Sequence, residues 1–299
     1  MILPFLRAIR PHQWVKNLFV AAPVLFGQRL TDPTAVVHAA AAVALFCLIS
    51  SAIYLFNDLI DVEQDRLHPR KCHRPIAAGE LSEAAARLGA GLLAAAGLAL
   101  GLGLGLGFFA AAAGYFALNI TYSLALKRIA YLDVLAIAAG FLLRVAAGAY
   151  AVQVPASPWL FLCTGFLACF LGFGKRTHEL SAFGARGVAQ REVLASYSAA
   201  LLRGALFVSG GATFMAYLAY TTAPHTRNFF RTDRMLWTAP LIALGLVRFG
   251  HLVARSTAES PTEEMLRDPL FLANLAAWVV AVVVFIYVAP GTFPALAQP

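Results

Sequence analysis

The strongest constraint on this chain is its succession of apolar runs, each about twenty residues long and bounded by charge, proline or glycine. A bilayer's hydrocarbon core is about 30 Å thick, and a helix needs about twenty apolar residues to cross it. Nine stretches have that character: about 14–30, 34–56, 83–102, 107–126, 132–152, 158–174, 199–222, 235–253 and 269–289. The first is the least apolar, carrying Lys16, Asn17 and Gln28. None alternates polar and apolar residues, which excludes a transmembrane barrel. Only 13% of the 299 residues are charged, about half the share in a soluble domain. The expected fold class is therefore all-α, a polytopic membrane protein of about nine transmembrane helices forming a single domain over 1–299. The Gly/Leu run at 101–107 leaves room only for a tight connection. No signal peptide is expected, because the basic residues of MILPFLRAIRPHQW follow a short apolar start and no small-residue cleavage site comes after them. The four cysteines lack metal-ligand spacing, and three of them lie in apolar runs, where they read as membrane packing.

Nine spans would place the termini on opposite sides. On that partition eighteen Lys and Arg residues lie with the amino terminus and four on the other side, with Arg144 left inside a span. The positive-inside rule then makes the amino terminus cytoplasmic and the carboxyl terminus external. It also accounts for the net charge of +8 without invoking a nucleic acid. The acids follow the bases: only Asp32 and Asp233 fall outside. The connections 57–82, 175–198 and 254–268 all face the cytoplasm on this reading. Loops of that length carry function more often than short turns do, so an active-site mouth is expected there.

The segment NDLIDVEQDRLHPRKCHRPIAAG at 57–79 carries the most chemistry. Asn57, Asp61 and Asp65 recur at i, i+4 and i+8, which lines their oxygens along one face of a helix continuing the second span. Asp58 sits on the neighbouring edge. One reading is a solvated acidic helix end balanced by Arg66, Arg70, Lys71 and Arg74. The other is a Mg²⁺ site, since oxygen-rich carboxylate sets suit that ion when it shares itself with substrate phosphates. The regular spacing at the end of a span, followed by four cations and two histidines, favours the second. His68, His73 and His178 have no partner at ligand spacing and read as loop structure or auxiliary phosphate contacts, not as a zinc site.

Asn-Asp-x-x-Asp-x-x-x-Asp at the end of the second span, followed by His-Pro-x-Lys-x-x-Arg-Pro-Ile, resembles the UbiA superfamily of intramembrane prenyltransferases. The resemblance implies a helical bundle with a cavity open to membrane and cytoplasm. It also implies a Mg²⁺ cofactor (Mn²⁺ substituting) held against a diphosphate by Asn57, Asp58, Asp61 and Asp65. Lys71 and Arg74 match the basic residues beyond that motif. Tyr122 and Lys127 match the family's pattern after the fourth span, and Asp133 opens the fifth where the family tends to carry an Asp. Without the resemblance, Tyr122 and Lys127 would read as interfacial anchors.

After the sixth span, most members of that superfamily carry a second Asp-x-x-x-Asp. This chain has GKRTHEL, with Lys175, Arg176 and the single carboxylate Glu179. Acid has been exchanged for cations, which suggests a substrate with an extra phosphate in place of a second metal. Together with RPHQWVKN at 10–17, which includes Lys16, and GFLLRVAAG around Arg144, the pattern is similar to the decaprenyl-phosphate phosphoribosyltransferase branch. That branch joins a polyprenyl phosphate to 5-phosphoribosyl 1-diphosphate (PRPP), feeding lipid-linked pentose donors for cell-wall synthesis. The implied catalytic residues are Asp58, Asp61, Lys71, Arg74 and Lys127. Lys71, Arg74 and Lys127, together with Lys16, Asn57, Tyr122, Arg144, Lys175, Arg176 and Glu179, would bind substrate.

An Arg two turns into a span costs about 2.5–3.5 kcal/mol on insertion scales. Arg144 is either paired for packing or turned toward a cavity, where the lipid phosphate or PRPP would be its partner; the cavity is the expectation here. Two other functions compete for the chain as a whole. An ordinary prenyltransferase would use the same acidic motif with the lipid as electrophile, and the missing second Asp motif speaks against it. A secondary transporter would carry ionisable groups near the midplane, where this chain has almost none.

Overall fold

The computed structural model describes residues 2–155, 157–190, 192–255 and 261–288, with backbone alone over 182–190 and at 192. Every regular element among them is helical. Seven helices are long and apolar enough to cross a membrane: Pro33–Ile60, Glu83–Leu104, Leu132–Ala151, Pro158–Ser181, Ala199–Thr222, Arg234–Arg255 and Pro269–Val288. Among the described residues the expected nine is therefore corrected to seven.

Two stretches account for the difference. The run at 107–126 forms a 19-residue helix, Leu106–Leu124, but its last two turns carry Asn119, Thr121, Tyr122 and Ser123, which dilute its apolarity. The run at 14–30 is not one helix: a 3₁₀ segment, Pro11–Ala21, leads into a single turn and a half of α-helix, Ala22–Phe26. Eleven 3₁₀ residues rise about 22 Å at ~2.0 Å each, and five α residues add about 7.5 Å. The segment thus covers a bilayer-like thickness of about 30 Å without being a spanning α-helix. Its start meets Asp58 through Arg10, and its far end packs Gly27 on Val154.

The chain forms two compact units, Met1–Ala156 and Ser157–Pro299. In the first, Asp32 caps the Pro33–Ile60 helix by accepting from the backbone N–H groups of Thr34 and Ala35, and Ser82 caps Glu83–Gly101 through Ala85 N–H. These caps satisfy donors that a helix start otherwise leaves unpaired. The GLGLGLG connection is the tight turn expected: Leu102–Leu104 is 3₁₀, and Gly105 reverses the chain at φ 102°, a conformation that suits glycine. The core of this unit gathers Phe46, Ile49, Phe108, Ala112, Tyr115, Val20 and Ala147. Small residues set the spacing, as they do where helices pack in lipid. A Cβ on Gly148 would lie 1.9 Å from the Val20 carbonyl oxygen, so the 3₁₀ segment rests directly on the Leu132–Ala151 backbone.

In the second unit the Pro158–Gln190 helix runs 33 residues, so the stretch at 175–190 continues the helix past Gly174. Ser198 caps Ala199–Thr222 and Asp268 caps Pro269–Val283. Phe170, Leu206, Phe249, Leu252, Val253 and Met265 form its core. Arg248 grips Asp268 through two contacts of 3.1 and 2.6 Å, so one carboxylate both caps a helix and ties it to Ala239–Arg255.

Candidate active site

The acidic segment folds differently from a continuous helix. The Pro33–Ile60 helix stops at Asp61 (φ −91°, ψ 5°) and restarts as the short helix Val62–Leu67. Asp58 and Asp65, seven positions apart and so on nearly the same helical face, both accept from one guanidinium: Arg74 Nη1 reaches Asp58 Oδ1 at 3.1 Å and Asp65 Oδ2 at 2.5 Å. Both carboxylates are buried, at 2% and 3% side-chain exposure. Asp61, one-fifth exposed, is held instead by Lys127 Nζ at 2.6 Å. Helical spacing nonetheless persists through Asp61, whose N–H donates to the Asn57 carbonyl while the Asp65 N–H donates to the Asp61 carbonyl. The carboxylates pair separately, Asp61 with Lys127 and Asp65 with Arg74.

Arg10 is the participant that the sequence concealed. It adopts the left-handed backbone conformation (φ 52°, ψ 63°) at the join between Ile2–Ala8 and the 3₁₀ segment. From there it donates to Asp58 Oδ1 and lies over the Tyr54 ring at 5.3 Å. Its only signal was its place at the head of RPHQWVKN.

Asp58 Oδ1 thus accepts from two guanidinium groups, whereas its Oδ2 is buried with no hydrogen-bond partner. Burial pushes the Asp65 carboxyl above the ordinary carboxylate range, although the charges of Arg74 and Lys71 pull it back down. His68 accepts from the N–H groups of Arg70 and Lys71 through Nδ1, which is the loop-structure role expected of it. Asn57 is half-buried in the last turn before the break, and its carbonyl accepts from Asp61 N–H. Tyr122 is half-buried in the last turn of Leu106–Leu124, Asp133 is fully buried at the start of Leu132–Ala151, and Lys16 is half-buried one residue before Asn17.

Among the described residues, no three His, Cys, Asp or Glu side chains converge closely enough to hold an ion by themselves. A Mg²⁺ site does not require three. That ion usually takes one or two carboxylates and fills its shell with water and substrate phosphates. Oδ2 of Asp58 is a buried, partnerless carboxylate oxygen, a ligand type that fits a hard cation.

Arg144 departs from expectation. It is 6% exposed, and its guanidinium is engaged inside the first unit. Nε donates to Asn17 Oδ1 at 3.0 Å, Nη2 to the Tyr115 hydroxyl at 2.6 Å, and Nη1 to the Gly140 carbonyl at 3.3 Å. It also lies over the Tyr115 and Phe141 rings. The paired, packed reading is the one the structure supports. In the second unit Arg176 is likewise buried, at 1%, and pairs with Glu179 one turn along its helix. Its neighbour Lys175 is half-buried, and His178 contacts the Val253 carbonyl at 3.2 Å through Nδ1.

Residues 18–275 match the UbiA prenyltransferase family. A decaprenyl-phosphate phosphoribosyltransferase of Mycolicibacterium smegmatis is 34% identical over 297 residues, covering 96% of this chain and 93% of that protein. One from Corynebacterium glutamicum is 32% identical over 294 residues, covering 95% of this chain and 87% of that protein. Among solved structures, a UbiA homolog from Archaeoglobus fulgidus bound to GPP and Mg²⁺ aligns with a TM-score of 0.70 at 20% identity. The alignment covers 95% of this chain and 99% of that one, and the likeness is one of fold.

Proposed function

The chain belongs to the UbiA prenyltransferase family, and on that premise we propose that it transfers the 5-phosphoribosyl group from PRPP to a polyprenyl phosphate of the bilayer. The products are polyprenylphosphoryl-5-phosphoribose and diphosphate, and the lipid product feeds the making of cell-wall pentose donors. One observation carries the reading: near-full-length similarity, at 34% and 32% identity, to two proteins whose names state phosphoribosyl transfer to decaprenyl phosphate.

The charges at the mouth support this chemistry. Arg10, Arg74 and Lys127 are each held by a carboxylate, so an entering diphosphate finds cations already placed and can compete for them. As the anomeric C–O bond of PRPP breaks, negative charge grows on the departing diphosphate, and Lys71, Arg74 and Lys127 take it up. The new bond forms between the anomeric carbon and an oxygen of the lipid phosphate. That oxygen is already anionic, so no general base is needed. Attack from the face opposite the leaving group inverts the anomeric carbon. Asn57, Asp58, Asp61 and Asp65 would hold Mg²⁺ or Mn²⁺, which supplies Lewis-acid neutralisation of the diphosphate when bound. Tyr122 and Lys16 keep their assignment to substrate.

The exchange of a second acid pair for Lys175 and Arg176 supports a donor with an additional phosphate. Arg176 is buried and pairs with Glu179, which favours a supporting role for it; Lys175 keeps its assignment to the 5-phosphate. The basic residues around 57–82 and 127–128 favour a cytoplasmic mouth with a cytoplasmic amino terminus.

The test is purified protein with polyprenyl phosphate, labelled PRPP and Mg²⁺, set beside a second arm of prenyl diphosphate and an aromatic acceptor. Label passing into the organic phase supports the reading. Aqueous label together with a prenylated acceptor would put the ordinary prenyltransferase in its place.

A further inference from the structure

Runs of 3₁₀ helix longer than three or four residues are uncommon, because their hydrogen-bond geometry is poor. The eleven residues of Pro11–Ala21 must therefore be held from outside, and the contacts that hold them are visible. Trp14 Nε1 donates to Ser51 Oγ at 3.1 Å, and Ser51 in turn contacts the Ile9 carbonyl at 3.4 Å. Asn17, 1% exposed, donates through Nδ2 to Ser50 Oγ at 3.1 Å and to Cys47 Sγ at 3.4 Å. Its other amide atom, Oδ1, receives Arg144 Nε. Ser50, Ser51 and Cys47 belong to the Pro33–Ile60 helix, and Arg144 to Leu132–Ala151. The segment is thus tied to two helices at once, and Asn17 is the knot.

At its mouth end the same segment begins at Arg10, whose left-handed backbone aims the guanidinium at Asp58. Arg144 does not touch Asp58, Arg74 or Lys127. Its partners are the segment (Asn17), the neighbouring helix (Tyr115) and its own helix (Gly140).

We infer that Arg144 is a positioning residue: by fixing Asn17 it sets the register of the 3₁₀ segment and so delivers Arg10 to Asp58 at the mouth. Arg144 thereby holds, from within a span, a segment whose own hydrogen bonds would not hold it. The inference rests on the proposed transfer only for its kinetic consequence.

Two measurements test it. The first uses spin labels on cysteines placed at the exposed positions His12 and Gln64, with Cys72, Cys163 and Cys169 changed to Ser and Cys47 kept because it accepts from Asn17. A control pair joins Gln64 to Arg87. In the wild-type background the His12–Gln64 distance distribution is narrow. Arg144→Gln broadens it at least twofold and leaves Gln64–Arg87 unchanged, and Arg144→Lys, which keeps a donor for Asn17, falls between. An unchanged His12–Gln64 pair overturns the inference. So does equal broadening of both pairs, which would mean that Arg144 holds the whole unit.

The second is a kinetic cycle between residues that do not touch. Arg10→Gln lowers kcat/KM for PRPP about tenfold in the wild type and less than twofold in the Arg144→Gln background. A full tenfold loss in both backgrounds overturns the coupling. A wild-type protein that transfers no phosphoribosyl group overturns the transfer reading, and the spin-label distances still decide the positioning.

Discussion

Lys127 Nζ lies 2.6 Å from Asp61 Oδ1, across 66 residues of sequence. The contact joins the end of the Pro33–Ile60 helix to the 3₁₀ turn Leu126–Arg128, which follows Leu106–Leu124. Those two helices therefore end on the same side, and Glu83–Gly101 returns between them. Asp58, Asp65, Arg10 and Arg74 lie at that same end. The proposed active-site mouth is where these helix ends meet, and there Asp58, Asp61 and Asp65 are paired with Arg10, Arg74 and Lys127.

Removing either member of that pair should be felt in turnover. A charge-assisted contact is worth about 1.5–3 kcal/mol, so Lys127→Met should lower kcat/KM for PRPP about ten- to a hundredfold. Asp61→Asn should match or exceed it. Both side chains are about one-fifth exposed, and the variants should fold in detergent with melting temperatures near wild type. A Lys127→Met enzyme with undiminished kcat/KM would remove Lys127 from the reaction.

Asp58 carries the larger consequence. Its Oδ1 accepts from two guanidinium groups and its Oδ2 is buried without a hydrogen-bond partner. Asp58→Asn sets an amide among cations, and breaking a buried charge pair costs about 3–5 kcal/mol. The variant should lose Mn²⁺ binding, read by electron paramagnetic resonance, together with turnover. Chelation of the wild type should abolish activity, and Mg²⁺ or Mn²⁺ should restore it. Full activity in excess chelator would end the metal assignment.

Packing of the 3₁₀ segment gives a stability test with an internal control. A Cβ at Gly148 would meet the Val20 carbonyl oxygen at 1.9 Å, whereas one at Gly91 meets nothing within 4 Å. Gly148→Ala should destabilise the protein by about 1–3 kcal/mol, the usual cost of overpacking. Gly91→Ala, inside the Glu83–Gly101 helix, should raise the melting temperature slightly through helix propensity. Equal effects from the two would mean that the close approach of the segment to Leu132–Ala151 is wrong.

What could be read from sequence, and what could not, divides by the range of the interactions. Helix length and apolarity are local, so stretches such as Pro33–Ile60 and Ala199–Thr222 are legible. So is the loop role of His68, which bonds residues two and three positions on. The 3₁₀ segment was not legible as such, because its conformation is imposed by Ser50, Ser51 and Arg144, which lie far along the chain. Nothing in residues 11–21 announces those partners. Arg144 and Asn17 are 127 positions apart, and they meet where the 3₁₀ segment packs on Leu132–Ala151, with Val20 against Gly148. The break at Asp61 occurs without Pro or Gly. There Asp61 pairs with Lys127 and Asp65 with Arg74, partners distant in sequence that the even spacing of the acids does not announce.

The orientation of the mouth is a separate commitment. A cysteine placed at the exposed position Gln64 should react with an impermeant maleimide only when the cytoplasmic face is open to it, as in inverted vesicles. Labelling from outside intact cells would reverse the orientation and place the mouth on the other side.

The central claim is that the lipid phosphate is the nucleophile and the pentose donor loses its diphosphate. It is tested most directly by following oxygen. Polyprenyl phosphate carrying ¹⁸O in its phosphate is incubated with the purified protein, PRPP and Mg²⁺, and both products are weighed by mass spectrometry. The account predicts a lipid product heavier by one phosphoribosyl group with all of its ¹⁸O retained, and a released diphosphate with none. Lipid recovered without a pentose, while a prenyl diphosphate alkylates an aromatic acceptor in the same preparation, would contradict it.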